Sequence, residues 1–210
     1  MSRFLLRLSE YNRIYQVAHG VLNGIDGATA EKACLFFAAV GGYVLNQQYK
    51  IPARIVGGAF SFCLGNGEVA FFGKMDDSGL SAGPDGFHMW LQTETHIIDF
   101  MAPIYREAFA EHTITSDLAR KMMQRRLTEE SQSLDSLKNA GDFRYFPDAD
   151  LTEQLVDNFL AQPVQEDLLR IAMAWYGKRS AKQSPNFAIT DNRGEVRRLT
   201  LPSTLATGSW

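Results

Sequence analysis

Three residue types that together support nucleophilic chemistry by a thiol occur in the first half of the chain, as Cys34, His88 and Asp99. A cysteine reacts as its thiolate, which a helix N-terminus or a neighbouring imidazolium stabilises. A histidine can take the thiol proton, and a carboxylate on its other ring nitrogen orients the ring. The question is therefore whether the fold can bring these three side chains together.

His88 and Asp99 lie on two apolar segments that can pair as a hairpin. A short loop after Gln92 would pair Gln92 with Thr95 and would set His88 directly opposite Asp99. Opposite residues of antiparallel strands project from the same face, with Cβ atoms about 4.5–5.5 Å apart. The carboxylate could then accept a hydrogen bond from one ring nitrogen and leave the other nitrogen facing a nucleophile.

Cys34 follows a glycine-containing break at residues 24–27 and precedes a long apolar segment. The helix dipole stabilises a thiolate only within the first turn. The thiolate interpretation therefore requires residues 26–32 to form a separate turn, so that the helix begins near Ala33. The alternative interpretation is that Cys34 is a small buried apolar residue without chemistry.

The apolar segment predicts a second helix from about Ala30 to Tyr49, after a first helix within residues 3–23. The face that would contact a neighbour is composed mainly of small residues. Gly41 and Gly42 each cost roughly 1 kcal/mol relative to alanine in a helix interior. Close packing must offset that cost, so we expect this helix to be central and buried.

The segment Lys50–Gly58, with the sequence KIPARIVGG, resembles the Gly-Ile-Pro-Ala-Arg-Val-Val-x-Gly segment of transglutaminase-like domains. In that family the segment follows a helix that begins near a catalytic cysteine, and a His-x-Trp strand and an aspartate come downstream. This chain has Cys34, the segment, His88-x-Trp90 and Asp99 in that order. The chain departs from the family pattern in its lysine at the first position and in lacking a proline directly after the aspartate.

The resemblance covers residues 30–103 and implies a papain/transglutaminase-like cysteine-proteinase fold, in a bacterial family of that fold. The superfamily also includes papain-like peptidases and arylamine N-acetyltransferases. By this resemblance Cys34 is the nucleophile, His88 is the general base and then the acid, and Asp99 orients the ring. The implied reaction is acyl transfer through a thioester. Water as acceptor gives a peptidase, amidase or deamidase, and an amine gives a transglutaminase or N-acyltransferase.

The oxyanion formed in such a reaction needs hydrogen-bond donors. The simplest donor is the backbone N–H of Cys34, and the side chains of Asn23 and Gln16 are upstream candidates for a second. Either could instead be a surface or capping residue. Trp90 shares the face of His88 and could form a wall of the site, although an aromatic residue in a strand more often belongs to the core.

Charge and cysteine content exclude several classes of function. The 210 residues carry 21 Lys and Arg against 24 Asp and Glu, a net charge of −3, which gives no support to a nucleic-acid partner. Two cysteines exclude a disulfide scaffold, and Cys63 in its apolar strand is expected to be packing. No ligand spacing predicts a metal, and no cofactor is expected. We expect a small-molecule, peptide or protein substrate with an amide or acyl group.

The N-terminal apolar run is interrupted by Arg7 and Glu10, and no apolar run is long enough for a transmembrane helix. We therefore expect a cytoplasmic protein with no membrane partner. The sequence leaves the oligomeric state open. A non-catalytic interaction domain of the same fold is the alternative to an enzyme, and the loop at residues 76–86 is either a mobile flap beside His88 or a plain connection.

These elements predict a single α+β domain over residues 1–210, with a central helix packed on an antiparallel sheet. Residues 1–103 would form a core of helices and strands, and residues 104–210 a mainly helical elaboration. The remaining predicted segments are strands at 54–64, 68–74, 87–92 and 95–101, helices near 116–138, 151–161 and 163–178, and a closing hairpin at 187–190 and 196–201.

Overall fold

The computed structural model describes residues 4–65, 68–110, 118–190 and 193–210. Its helices are α1 (Leu8–Asn23), α2 (Cys34–Val44), α3 (Tyr105–Ala108), α4 (Ala149–Leu160) and α5 (Pro163–Tyr176). Its strands are β1 (Arg54–Gly65), β2 (Glu68–Phe72), β3 (Lys74–Asp76), β4 (Gly79–Ser81), β5 (His88–Gln92), β6 (His96–Asp99), β7 (Met123–Arg126), β8 (Phe143–Pro147), β9 (Asn186–Thr190) and β10 (Val196–Thr200). The main sheet has the order β2-β1-β5-β6-β7, with β8 also on β1, and all its pairs are antiparallel. The α+β class is confirmed.

The long strand β1 changes its partner along one edge. Its first residues pair with β5 and its last residues with β2, while β8 pairs along the other edge. At the junction Gly58 lies opposite His88, and Phe60 lies opposite Phe72. Residues 73–87 leave the sheet between these two strands and contain the hairpin β3–β4. This excursion therefore starts and ends beside His88.

Side chains of the main sheet alternate between two cores, as the pleat requires. Helices α1, α2 and α5 cover the face that carries Met89 and Leu91. The other face carries an aromatic cluster that includes Phe60. His88 and Asp99 project from this aromatic face, so an apolar environment surrounds both polar side chains.

Helix α2 begins at Cys34, as the thiolate interpretation requires. Residues Ala30–Lys32 form a separate 3-10 turn, and Ala33 interrupts the helical backbone with φ −106° and ψ 34°. The helix is shorter than predicted, because α-helical hydrogen bonding ends at Val44 and a π-helical turn continues to Tyr49. Most of its residues are buried, so the prediction of a central, buried helix is confirmed.

The predicted register between β5 and β6 is wrong by two residues. Gln92 pairs with Ile97 rather than with Thr95. Since side chains alternate along a strand, a slip of two residues keeps every side chain on its face, whereas a slip of one would reverse it. His88 and Asp99 therefore share a face as predicted, but they meet diagonally and not directly opposite each other.

The Thr93 side chain closes the loop that sets this register. Its hydroxyl oxygen accepts the backbone N–H of His96 at 2.9 Å and that of Thr95 at 3.3 Å, and the Thr93 N–H donates to the His96 carbonyl at 2.8 Å. Threonine side chains commonly stabilise turns in this way. His96 is buried on the face away from His88, and its Nδ1 lies 2.8 Å from the Thr95 hydroxyl, which agrees with a structural role.

The prediction of a helix near 116–138 is wrong for the described residues 118–138. Strand β7 extends the sheet beside β6, and two 3-10 turns follow at Leu127–Glu129 and Leu134–Ser136. Because Met122, Met123 and Gln124 are all buried, this short strand lacks the alternating pattern that identifies strands in a sequence. Strands β7 and β8 both pair with strands of the first half of the chain. Residues 104–210 therefore complete the main sheet in addition to supplying helices.

The other C-terminal predictions are confirmed. The Asp148 side chain accepts the Leu151 N–H at 2.9 Å and caps α4, and Pro163 occupies the first turn of α5, where its missing N–H costs nothing. β9 and β10 form the closing hairpin. The turn residues predicted at 66–67 and 191–192 lie outside the described residues. No helix in the described ranges is long and apolar enough to cross a membrane.

The small face of α2 generates a stability prediction. A Cβ added at Gly41 would lie 2.2 Å from the Phe100 ring, whereas one at Gly42 would meet only Leu91, at 3.1 Å. We expect Gly41→Ala to lower the free energy of unfolding by about 1–3 kcal/mol through overpacking. Gly42→Ala should be close to neutral, because a gain of roughly 1 kcal/mol in helix propensity offsets the contact. Urea denaturation measures the free energy of unfolding of both variants. Equal losses of stability would contradict the close contact of Gly41 with Phe100.

Candidate active site

Cys34 and His88 meet at the floor of a cleft between α2 and the start of β5. The thiol is the first residue of its helix, where the backbone N–H groups have no intrahelical partner and favour negative charge. Cys34 is 7% exposed and His88 is 1% exposed, and both line the cleft. The two side chains are close enough for Cys34 to act on the pKa of His88.

His88 is fixed by the carboxylate of Asp99. Its Nε2 lies 2.5 Å from Asp99 Oδ2, and both side chains are buried. Since Nε2 is used by the carboxylate, Nδ1 is the ring nitrogen left for the thiol of Cys34. The structure thus brings together the three residues predicted from the sequence, in the order thiol, imidazole and carboxylate.

Asp99 is itself held by groups that the sequence did not reveal. The Met101 N–H donates to Oδ1 at 2.8 Å, and the Tyr105 hydroxyl donates to Oδ2, the oxygen that also binds His88. The Tyr11 hydroxyl donates to the backbone carbonyl of Asp99. Burial, and then the negative charge of Asp99, raise the pKa of Tyr105 well above its ordinary value, so this hydroxyl remains a donor.

Electrostatics favour a protonated ring at His88. Burial lowers its pKa, but the charge of Asp99, the hydrogen bond with it and the contact with Cys34 outweigh burial and raise the pKa to about 9. The stability gained from this charge is therefore full below the ordinary value of 6.5 and is lost as the pH rises through about 9.

Aromatic rings enclose the imidazole. The Phe72 ring stacks on His88 with a centroid distance of 4.2 Å and an interplanar angle of 14°, and the Phe60 ring lies 5.7 Å away. Aromatic faces attract cations, so this stacking suits the charged ring. Phe72 also lines the cleft, and it therefore covers His88 from the side on which a substrate would approach.

Three further predicted site residues do not line the cleft. Trp90 is 1% exposed and packs on Tyr145, with a centroid distance of 4.4 Å, so it belongs to the aromatic core. Gln16 donates its side-chain amide to the Pro202 carbonyl at 2.7 Å and thereby anchors the C-terminal segment. Asn23 is exposed at the end of α1. Their assignment as wall or oxyanion donors is corrected, and the backbone N–H of Cys34 remains the candidate donor.

Cys63 is fully buried in β1, and both its backbone N–H and its backbone carbonyl are hydrogen-bonded. Its N–H donates to the Asp142 carbonyl at 2.8 Å, and its carbonyl accepts the Gly141 N–H at 2.8 Å. The prediction that this cysteine is packing is confirmed. Within the described ranges no three potential metal-ligating side chains of His, Cys, Asp or Glu come together.

The cleft has a volume of about 480 Å³ and includes both Cys34 and His88 in its wall. The excursion at residues 73–87 forms one side. A larger cavity of about 640 Å³ lies between β1 and α4, but neither a cysteine nor a histidine lines it, so we assign the chemistry to the cleft. The segment predicted as a flap or a connection contains the hairpin β3–β4 and a tight turn at Gly83–Gly86.

Comparison with known proteins gives a family and a structural relative. The sequence profile of the family described as "Protein of unknown function (DUF2026)" matches residues 7–210. A solved structure described as "The crystal structure of genomics APC5867" is similar over 100% of this chain and 99% of that chain, with 28% sequence identity and a TM-score of 0.84. No curated protein matches.

The charge balance at His88 can be tested by NMR. Asp99→Asn removes the main interaction that opposes burial, so the pKa of His88 should fall from about 9 to below the ordinary 6.5. Histidine side-chain ¹⁵N shifts recorded against pH measure this change. His19 is the internal control, since burial lowers its pKa and Asp99 does not act on it. A His88 titration that is unchanged in the variant would contradict the pairing.

The hydrogen bond from Tyr105 to Asp99 can be tested by comparing two tyrosines of the aromatic cluster. Tyr105→Phe removes a donor from a buried carboxylate, and we expect it to lower the free energy of unfolding by about 1.5–3 kcal/mol. Tyr145→Phe is the matched control, because its buried hydroxyl has no hydrogen-bond partner among the described residues, and it should be neutral or stabilising. Chemical denaturation of both variants gives the comparison, and a neutral Tyr105→Phe would refute the hydrogen bond.

Proposed function

Because the chain belongs to the DUF2026 family of proteins of unknown function, we propose its activity from the site itself: a thiol-dependent acyl transfer by Cys34, His88 and Asp99. One observation carries the proposal, namely a cysteine at a helix N-terminus that lines the same cleft as an imidazole bound to a buried carboxylate. Structural ion pairs also occur in cores, but this one adjoins a cysteine and a cleft.

The proposed reaction has two halves, formation of a thioester on Cys34 and its breakdown, and both use Cys34 and His88. The Cys34 thiolate attacks the substrate carbonyl carbon, and the backbone N–H of Cys34 stabilises the resulting oxyanion. The imidazolium of His88 donates its Nδ1 proton to the leaving group as the carbon–heteroatom bond breaks, leaving a thioester. Water or an amine then attacks the thioester, His88 takes its proton, and Cys34 leaves as the thiolate. Asp99 keeps the ring oriented throughout.

We also propose the papain/transglutaminase-like fold for this architecture. The supporting features are a helix that begins at the cysteine, a following strand that begins at the arginine of the Ile-Pro-Ala-Arg segment, and two adjacent strands that carry His88 and Asp99. The direct proline of the family pattern is replaced by a short connection in which the Met101 N–H binds Asp99. The acceptor in the proposed reaction is water or an amine. A cytoplasmic location, where thiols stay reduced, is part of the same proposal.

Thiol alkylation tests the proposal. We expect iodoacetamide at pH 7 to modify Cys34, because this cysteine lines the cleft beside His88. His88→Ala should slow the modification, because the group that activates the thiol in the proposed mechanism is lost. Peptide mapping by mass spectrometry assigns the modified residue.

Cys63→Ser is the matched control, since it removes the other cysteine and should leave the labelling unchanged. Labelling that persists in Cys34→Ala would place the reactive thiol at Cys63 and would overturn the assignment. A wild-type protein in which Cys34 reacts no faster than in His88→Ala would favour the alternative, a non-catalytic interaction domain.

A further inference from the structure

The cleft changes character with depth. Apart from Cys34, His88, two glycines and the half-buried Glu31, its buried and half-buried lining is apolar and is formed by Phe72, Phe87, Met101, Ala108 and Phe109. Met101 is 1% exposed and Phe109 is 3% exposed, so these side chains lie in the inner wall, with Cys34 and His88. A substrate group that reaches the thiol must therefore leave water and enter apolar surroundings.

The charged lining residues lie at the mouth. Lys32 is exposed, and Asp85 is exposed and forms an ion pair of 3.6 Å with Lys74. Glu31 is half-buried beside Lys32. The opposite charges of these residues leave the mouth close to neutral overall, and none of them is among the buried lining residues. Apart from His88, whose ring is already held by Asp99, a charged substrate group would find partners only at the mouth.

The aromatic wall continues onto the outer surface. Phe71 lines the cleft and is 37% exposed, and Met75, on β3 of the excursion, is 49% exposed. Large apolar side chains exposed beside a concave site often mark the place where a ligand is bound. Phe71 is therefore an exposed aromatic residue in the lining of the cleft.

We propose that the cleft selects acyl donors whose acyl group is uncharged and apolar, with a preference for an aromatic ring. The inference rests on the proposed function and names its substrate class. Burying an unpaired carboxylate in such a wall is unfavourable, whereas burying a ring gains apolar contact. In the reaction a C–S bond forms as the bond to the leaving group breaks, and the leaving group departs through the polar mouth with the proton from His88.

A set of activated esters with one leaving group tests the preference. The probes are p-nitrophenyl acetate, p-nitrophenyl phenylacetate and mono-p-nitrophenyl succinate, each followed by nitrophenolate release and corrected for the rate with Cys34→Ala. We expect kcat/KM to be roughly tenfold or more higher for phenylacetate than for succinate. Intact-protein mass spectrometry should detect the phenylacetyl group on Cys34.

Variants locate the preference. Phe71→Ala should reduce the ratio of phenylacetate to acetate by roughly threefold or more. Tyr43→Ala is the matched control, since Tyr43 is an aromatic residue of α2 that is 52% exposed and does not line the cleft. Phe87→Leu provides a second cleft variant that preserves an apolar side chain, and it should lower the same ratio.

The outcomes separate the two proposals. If no ester reacts faster with the wild type than with Cys34→Ala, the proposed function fails. If Cys34-dependent release occurs at similar rates for all three esters, or fastest for succinate, the proposed function stands and the apolar acyl preference is overturned. A preference that survives unchanged in both Phe71→Ala and Phe87→Leu would also overturn it.

Discussion

The buried charge of Asp99 is the constraint on which the candidate site depends. A carboxylate removed from water must receive hydrogen bonds, or it takes up a proton and loses its charge. Here the donors are the Met101 N–H, the Tyr105 hydroxyl and the His88 ring. They come from the chain just after β6, from α3 and from β5, so one charge fixes the relative positions of three segments. The same charge keeps the imidazole protonated next to Cys34.

The change of partner along β1 explains why this buried pair lies beside a cleft. If β2 and β5 formed one continuous strand, the sheet would have no break beside His88. Because the chain leaves the sheet after Phe72 and returns at His88, the two side chains stack at an opening and the excursion becomes a wall. The cleft is therefore a product of strand topology, and the aromatic residues at its floor belong to the same cluster that packs the sheet.

Sequence reasoning reached those parts of the site that depend on local rules. Strand alternation placed His88 and Asp99 on one face, and this conclusion survived a register slip because the slip was two residues. The helix start at Cys34 meets a condition of the thiolate interpretation, whereas the periodicity itself predicted a start near Ala30. By contrast, Tyr105 reads as an ordinary core aromatic, since nothing local determines which atom a buried hydroxyl will reach. The prediction for Trp90 was wrong for a different reason. Strand alternation correctly placed its side chain on the face of His88, but tertiary packing buries that side chain in the aromatic core instead of in the cleft wall.

The contact between Phe100 and Gly41 fixes the distance between the thiol of Cys34 and the carboxylate of Asp99, although it includes neither group. Phe100 directly follows Asp99, and its ring lies against the backbone of α2 at Gly41, where no Cβ keeps the helix away. The Tyr11 ring stacks on Phe100 at a centroid distance of 4.9 Å, and its hydroxyl binds the carbonyl of Asp99. Helix α1, helix α2 and the end of β6 therefore share one contact. Because α2 is a rigid rod that begins at the cysteine, its close approach at Gly41 determines where the sulfur stands relative to the ring.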